Sequence, residues 1–319
     1  MPNLTHFAGG AQMFVKRDDC TGLGFGGNKV RQLEFYLGAA AESKADTILI
    51  TGAVQSNYVR IAAAAARKLG MDIHIQLEER VPRRDRAYRQ SGNVLLDRIL
   101  GATLHFYPQG EDESGSDERL DAIAAKLQAK GRKTYVIHLG RKHPPLGALG
   151  YICAAHELVD QARAMKLKVD EVVVASGSGH THAGLLFGLR AMGSGARVTG
   201  VCVRRTKREQ SERIRDLCSR IASLLGVTPL LGARDVALID EFVAPGYGLL
   251  NPPTIESIKL AARHEGLLLD PVYTGKVMAG TIRRARSMGR GQNLVFLHTG
   301  GGPGIFGYEP VLTNAMLGS

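Results

Sequence analysis

The 319-residue chain carries 41 Lys and Arg against 30 Asp and Glu, a net charge of +11, with 44% hydrophobic residues, 39 glycines and no tryptophan. That balance is too apolar for a disordered tail and too irregular for collagen or a coiled coil, and the length suits two domains or one large α/β unit with an insertion. No stretch approaches the ~18 uncharged apolar residues of a membrane span, and the first residues lack a basic-then-apolar leader, so a cytoplasmic protein is expected.

The four cysteines (Cys20, Cys153, Cys202, Cys218) are scattered and form no CxxC pair, which reads as reduced thiols and not a disulfide frame or zinc site. Basic clusters occur at 83–89, 204–208 and 283–286. Only 6% of residues are aromatic and the clusters sit in separate segments, so a solvated basic surface that favours anionic ligands is expected, and no nucleic-acid partner.

In chain order, the first informative segment is the glycine loop TGLGFGGNK (21–29), entering a predicted helix at 30–41. From about residue 45 a strand-then-helix rhythm follows. Apolar runs predict strands at 47–51, 73–77, 104–107, 135–139, 171–175, 198–203, 267–270 and 294–298. Helical spacing predicts helices at 58–69, 94–100, 120–129, 146–165 and 183–192, and the polar 109–117 stretch reads as a surface loop. Alternation of this kind implies parallel sheets covered on both faces.

Parallel sheets bind ligands beyond the carboxyl ends of their strands. The places to inspect are therefore TGLGFGGNK, TGAVQSNY (51–58), ASGSGHTHAG (175–184) and HTGGGPG (298–304). In ASGSGHTHAG, Gly177 and Gly179 let the backbone approach a ligand, and amides at a helix start suit a phosphate. Ser178 and Thr181 add hydroxyls, no GK[ST] makes it a P-loop, and the His180–His182 pair lacks further ligands, so no metal is expected. Gly22, Gly24 and Gly27 match GxGxxG formally, but no buried strand or acidic ribose partner accompanies them. Lys29 is either a solvated lysine or an amine desolvated enough to form an imine with a carbonyl cofactor. Gln55, Ser56 and Asn57 suit a carboxylate or phenolic oxygen, with helix capping as the plain reading. Tyr247 in PGYG and Tyr273 and Thr274 in DPVYTGK follow other strands or loops.

Taken together, KRDDCTGLGFGGNKVRQLEF, TGAVQSNYVR, SGNVLLDR, LGALGYICAAHEL, VVASGSGHTHAG, LLLDPVYTGKVMAG and FLHTGGGPGIFGY resemble the D-cysteine desulfhydrase / 1-aminocyclopropane-1-carboxylate deaminase family over nearly the whole chain. The resemblance implies pyridoxal 5'-phosphate as cofactor and an α/β fold of two parallel-sheet domains, the tryptophan-synthase-β-like type II fold. It implies a large cofactor domain from 1–38 plus 149–319, a small domain at 39–148, and a homodimer. Lys29 would be the Schiff-base lysine and the acid/base at the substrate α-carbon. Ser178, Gly179, His180 and Thr181 would hold the phosphate, Asn57 the ring hydroxyl, and Thr274 would face the pyridine nitrogen. Gln55 and Ser56 would lie by the carboxylate of a small amino-acid substrate, with Tyr247 and Tyr273 flanking it.

The implied reaction is α,β-elimination to pyruvate and ammonia, D-cysteine or a close β-substituted alanine being the favoured substrate. Family deaminases that open the cyclopropane carry glutamate where this chain has Thr274, which argues for elimination. The chain departs from the family at three places. His180 stands where glycine is expected, Tyr58 replaces a histidine near the substrate and would line the substrate site, and GRKHPP replaces GGSN before LGALGY. Arg141 there suits an anionic side chain such as the sulfonate of cysteate. L-Cysteate sulfo-lyase, cyclopropane deaminase, a nucleotide-binding oxidoreductase and an inactive homologue of the fold are the alternatives.

Overall fold

The computed structural model describes residues 1–138, 140, 143–228, 231–232 and 234–317. The chain forms two compact units, Met1–Cys20 with Pro145–Gly302, and Thr21–Pro144 with the stretch from Pro303 onward. Among the described residues the strands, in chain order, are β1 (Gln12–Arg17), β2 (Thr47–Ala53), β3 (Asp72–Glu78), β4 (Thr103–Tyr107), β5 (Thr134–Ile137), β6 (Glu171–Ser176), β7 (Arg197–Cys202), β8 (Ala237–Ile239) and β9 (Asn293–His298).

The first unit holds a parallel sheet ordered β1-β9-β6-β7-β8. Every residue of β6 is buried, as expected of a strand covered on both faces. One covering layer forms where helix Leu146–Ala164 meets helix His180–Ala191 at glycines. A Cβ at Gly184 would lie 2.1 Å from the Ala148 carbonyl oxygen and one at Gly188 2.7 Å from the Ala155 Cβ, so only glycine admits this approach. Val172, Val174, Leu186, Phe187, Ile214 and Leu217 fill the core.

The second unit holds a parallel sheet ordered β4-β3-β2-β5. Its central β2 is buried throughout, and helix Asn57–Lys68 covers it with an almost unbroken apolar run, Ile61 to Ala66. The small alanines let this helix lie close to the strands.

Several expectations are corrected. Residues 12–17 form an edge strand paired with β9 from Gln12↔Asn293 to Arg17↔His298. Their charge is misleading, because buried Lys16 donates to Glu157 and Gln161. Residues 267–270 form no strand and join neither sheet, with Leu267 and Leu269 buried and Leu268 exposed. Part of the 109–117 loop is helical, since Asp112 caps a helix starting at Glu113. The compact units divide at 20/21, 144/145 and 302/303. Residues 21–38 pack with the second unit because Arg60 donates to the Gly26 carbonyl, and the segment after Pro303 does so because Gln55 fits against Gly307. All four cysteines are free thiols. Among the described residues no helix is long and apolar enough to cross a membrane.

Candidate active site

In the second unit the glycine loop is closed on itself. The Thr21 hydroxyl accepts from the Gly27 amide and donates to the Gly27 carbonyl. Positive φ at Gly22, Gly24, Gly26 and Gly27 allows this path, and a side chain at Gly24 would strike Ala64. The loop delivers Lys29 to the first turn of helix Asn28–Glu42. The ε-amine lies 3.2 Å from Gln32 Oε1 and 4.8 Å above the centre of the Tyr58 ring. Burial lowers its pKa to about 8, so a usable fraction is a neutral nucleophile near neutrality. Tyr58 is buried, its hydroxyl has no hydrogen-bond partner among the described residues, and burial pushes its pKa well up. It supports the amine as an apolar face and not as an acid.

Ser56 caps helix Asn57–Lys68, its Oγ accepting from the Tyr58 and Val59 amides, which leaves its own O–H to donate. Asn57 Oδ1 accepts from Asn93 Nδ2 at 2.9 Å. That contact fixes the amide so that Asn57 presents its NH2 group, the correct polarity for a phenolic oxygen. Gln55 is otherwise engaged. Its Nε2 donates to the carbonyls of Tyr88 and Ser91, and its Oε1 accepts from the Asn93 amide. It braces residues 88–93 and has no N–H left for a substrate carboxylate.

In the first unit β6 runs into Gly177, Ser178 and Gly179, then helix His180–Ala191. The loop carbonyls are tied back by helix Lys207–Leu225 and the turn before it. Arg205 and Gln210 donate to the Gly177 carbonyl, and Arg213 to that of Ser178. The amides of Gly177, Ser178 and Gly179 meet no acceptor among the described residues. A loop with its carbonyls held behind and its amides facing out is an anion cradle at a helix start. Gly179 (φ +100°) makes the turn, and a Cβ there would lie 2.6 Å from Leu217 Cδ1. His180 has no positive φ, so the glycine demand falls on Gly179 and the imidazole is tolerated. His182 is buried, its Nδ1 3.0 Å from the Ser176 hydroxyl, and burial lowers its pKa to about 4, so it packs as a neutral side chain. His180 and His182 therefore do not act as a pair.

Thr274 opens helix Thr274–Ser287. Its hydroxyl donates to Asp270 Oδ2 at 2.7 Å and accepts from the Asp270 amide at 2.8 Å. With its proton committed, Thr274 can only receive a hydrogen bond from a ligand, and a buried carboxylate stands directly behind it. The Tyr247 and Tyr273 hydroxyls lie 2.6 Å apart. Lys276, fully buried, donates to the carbonyls of Val243 and Gly246 and so holds the loop that carries Tyr247. Arg141 lies outside the described residues. Sequence reasoning missed Asn93, Asp270 and Lys276, although SGN and DPVYTGK were already prominent as motifs.

The sequence signature described as pyridoxal-phosphate dependent enzyme matches residues 1–300. The chain belongs to the pyridoxal-phosphate dependent enzymes. It is 38% identical over 315 residues to the 1-aminocyclopropane-1-carboxylate deaminase of Methylobacterium nodulans, covering 97% of this chain and 92% of that one. It is 39% identical, with the same coverage, to the D-cysteine desulfhydrase of Salmonella choleraesuis. A crystal structure described as an ACC deaminase homologue superposes with a TM-score of 0.87 at 35% identity, covering 99% of this chain and 92% of that one. An O-ureido-L-serine synthase shares the fold at a TM-score of 0.62 and 17% identity, covering 92% of this chain and 88% of that one. The type II fold, the cofactor and the enzyme class are those expected from sequence. The open amides of 177–179 fit the cofactor's phosphate, and the desolvated Lys29 amine fits its aldehyde. Gly179→Ala is expected to weaken pyridoxal phosphate binding about tenfold or more, because the new methyl both strains φ and displaces Leu217. Cofactor fluorescence titration checks this.

Proposed function

We propose that the chain is a lyase that performs α,β-elimination on a small amino acid, D-cysteine or a close β-substituted alanine, releasing pyruvate, ammonia and the leaving group. The observation that carries this reading is the neutral-poised Lys29 amine at the end of its glycine loop. Pyridoxal phosphate, when bound, supplies a conjugated ring that spreads the charge left at the substrate α-carbon. Lys29 Nζ is the base that takes the α-proton. The amides of 177–179, with Ser178, His180 and Thr181, hold the phosphate, and the Asn57 NH2 group donates to the ring hydroxyl. The Ser56 O–H orients the substrate carboxylate. Tyr247 and Tyr273 form an edge of two phenols beside the leaving group.

Cyclopropane ring opening is the second reading, and one contact favours it. The Thr274 hydroxyl is backed by the Asp270 carboxylate, so the threonine is a more strongly polarised acceptor than its type alone implies. A homodimer is part of this proposal, and sedimentation tests it.

The deciding experiment offers purified holoenzyme D- and L-cysteine, β-chloro-D-alanine, L-cysteate and the cyclopropane amino acid, and quantifies keto acid and ammonia. Pyruvate and sulfide from D-cysteine support the first reading, and 2-oxobutanoate from the cyclopropane the second. Sulfite from cysteate moves the substrate toward sulfonates. No keto acid from any of them overturns the proposal.

A further inference from the structure

At the carboxyl end of β5, His138 stands between two carboxylates of helix Glu113–Gln128. Its Nε2 lies 3.1 Å from Asp121 Oδ1, within reach of N–H donation, and its Nδ1 lies 3.3 Å from Asp117 Oδ1. The two contacts differ in kind. The side chain is only 9% exposed, and Nδ1 has no hydrogen-bond partner among the described residues, the Asp117 oxygen being out of line for one. If Asp121 accepts the Nε2 proton, the tautomer is settled and the Nδ1 lone pair faces an anionic oxygen. Two electron pairs 3.3 Å apart in a mostly buried place repel unless something positive lies between them.

His143 completes the group. Its ring stacks on that of His138, centroids 3.9 Å apart and planes 11° from parallel. One ligand atom each from Asp117, His138 and His143 lie within 4.8 Å of one another. Gly140 permits the close passage of the chain, since a Cβ there would sit 2.8 Å from Asp117 Oδ2. We propose that Asp117, His138 and His143 form a binding site for a divalent transition-metal ion such as zinc, with Asp121 as the outer carboxylate that orients His138.

The dimensions agree with the chemistry. Zinc bonds to imidazole nitrogen and carboxylate oxygen of about 2.0–2.1 Å at a tetrahedral angle separate the two donors by about 3.3–3.4 Å. The Nδ1–Oδ1 pair already has that spacing, while His143 must tilt out of its stack to bring its nitrogen in, a side-chain rotation. Two imidazoles and one carboxylate suit zinc, cobalt or nickel and not magnesium or calcium. The carboxylate–imidazole–metal chain is the usual way such a ligand is oriented. The ion would fasten His143 to helix Glu113–Gln128, a structural role for the site.

The test uses chelator-stripped holoenzyme titrated with Co²⁺ by visible absorption and with Zn²⁺ by calorimetry. One ion per chain is expected, with the intense d–d bands of a four-coordinate N/O site. Asp117→Asn and His143→Gln are each expected to weaken binding tenfold or more, and Asp121→Asn by about 10–100-fold. Unchanged cofactor absorbance and circular dichroism in all three variants show that the fold is intact. The assignment is overturned by the absence of a stoichiometric site, or by full affinity in either Asp117→Asn or His143→Gln. Nitrogen NMR that finds His138 doubly protonated at pH 7.5 in excess zinc also overturns it, since the positive species would then be a proton.

Discussion

Lys29→Ala is expected to lower kcat for keto-acid release by about 10²–10⁴-fold, the usual contribution of a positioned proton-transfer group, and to abolish borohydride fixation of cofactor mass to the chain. The argument rests on position and desolvation together. The amine leaves a glycine-rich loop, faces the Tyr58 ring and has a pKa lowered to about 8 by burial. An ordinary lysine at pKa about 10.4 is neutral in roughly one molecule in 250 at pH 8, whereas here about half would be. Cofactor capture by the apoprotein should therefore rise with pH to a midpoint near 8. The sign for stability follows from the same shift. The folded state disfavours the proton, so this contribution is present above the unfolded pKa of about 10.4 and is lost as pH falls through about 8. A capture midpoint above 10, or borohydride labelling that survives in Lys29→Ala, would refute the assignment.

The parallel α/β architecture was legible because fully buried strands such as β2 and β6 carry a short apolar run, Ile48–Ile50 and Val172–Ala175, followed by turn residues. The ligand loops were legible for a related reason, since backbone that must approach a phosphate or turn at positive φ excludes side chains. Gly179 at φ +100° is the clearest case. The edge strand β1 was hidden because Lys16 looks solvent-facing in sequence and becomes buried only when Glu157, 141 positions later, supplies its partner. Asn93, Asp270 and Lys276 were hidden in the same way. Each works by bonding backbone or amide groups on other elements, and no local period marks such a residue. Gln55 shows the converse. Its place in a ligand-type motif suggested substrate contact, but the carbonyls of Tyr88 and Ser91 take both of its N–H groups.

The two clusters share a design in which functional groups are aimed by polar side chains that meet backbone from behind. In the first unit Arg205, Gln210 and Arg213 hold carbonyls so that the loop amides face outward. In the second unit Asn93 joins Gln55 and Asn57, and Arg60 joins Asn93 to the glycine loop. Buried polar networks of this kind are rigid when complete and costly when one member is removed.

Arg60→Met is therefore expected to cost about 2–6 kcal/mol of folding stability by denaturant titration. Arg60 is fully buried and donates to Asn93 Oδ1 at 3.1 Å and to the Gly26 carbonyl at 3.2 Å. Methionine fills most of the volume but orphans both acceptors, at about 1–3 kcal/mol each. A third neighbour sets the pH dependence. Asp97 is fully buried, and burial pushes its pKa up to about 8 against the opposing pull of Arg60 and Arg98. A carboxyl whose folded pKa exceeds its unfolded value of about 3.9 contributes stability that is complete below that value and is lost as pH rises through about 8. Asp97→Asn should accordingly flatten the decline of Tm between pH 6 and 9, while Arg60→Met should move that decline to higher pH by removing a cation that favours the charged form. The double variant should lose less at pH 9 than the separate losses predict, because the two residues interact and their effects do not add. Equal pH slopes in wild type and Asp97→Asn would show that this carboxyl titrates normally, and the coupling to Arg60 would have to be abandoned.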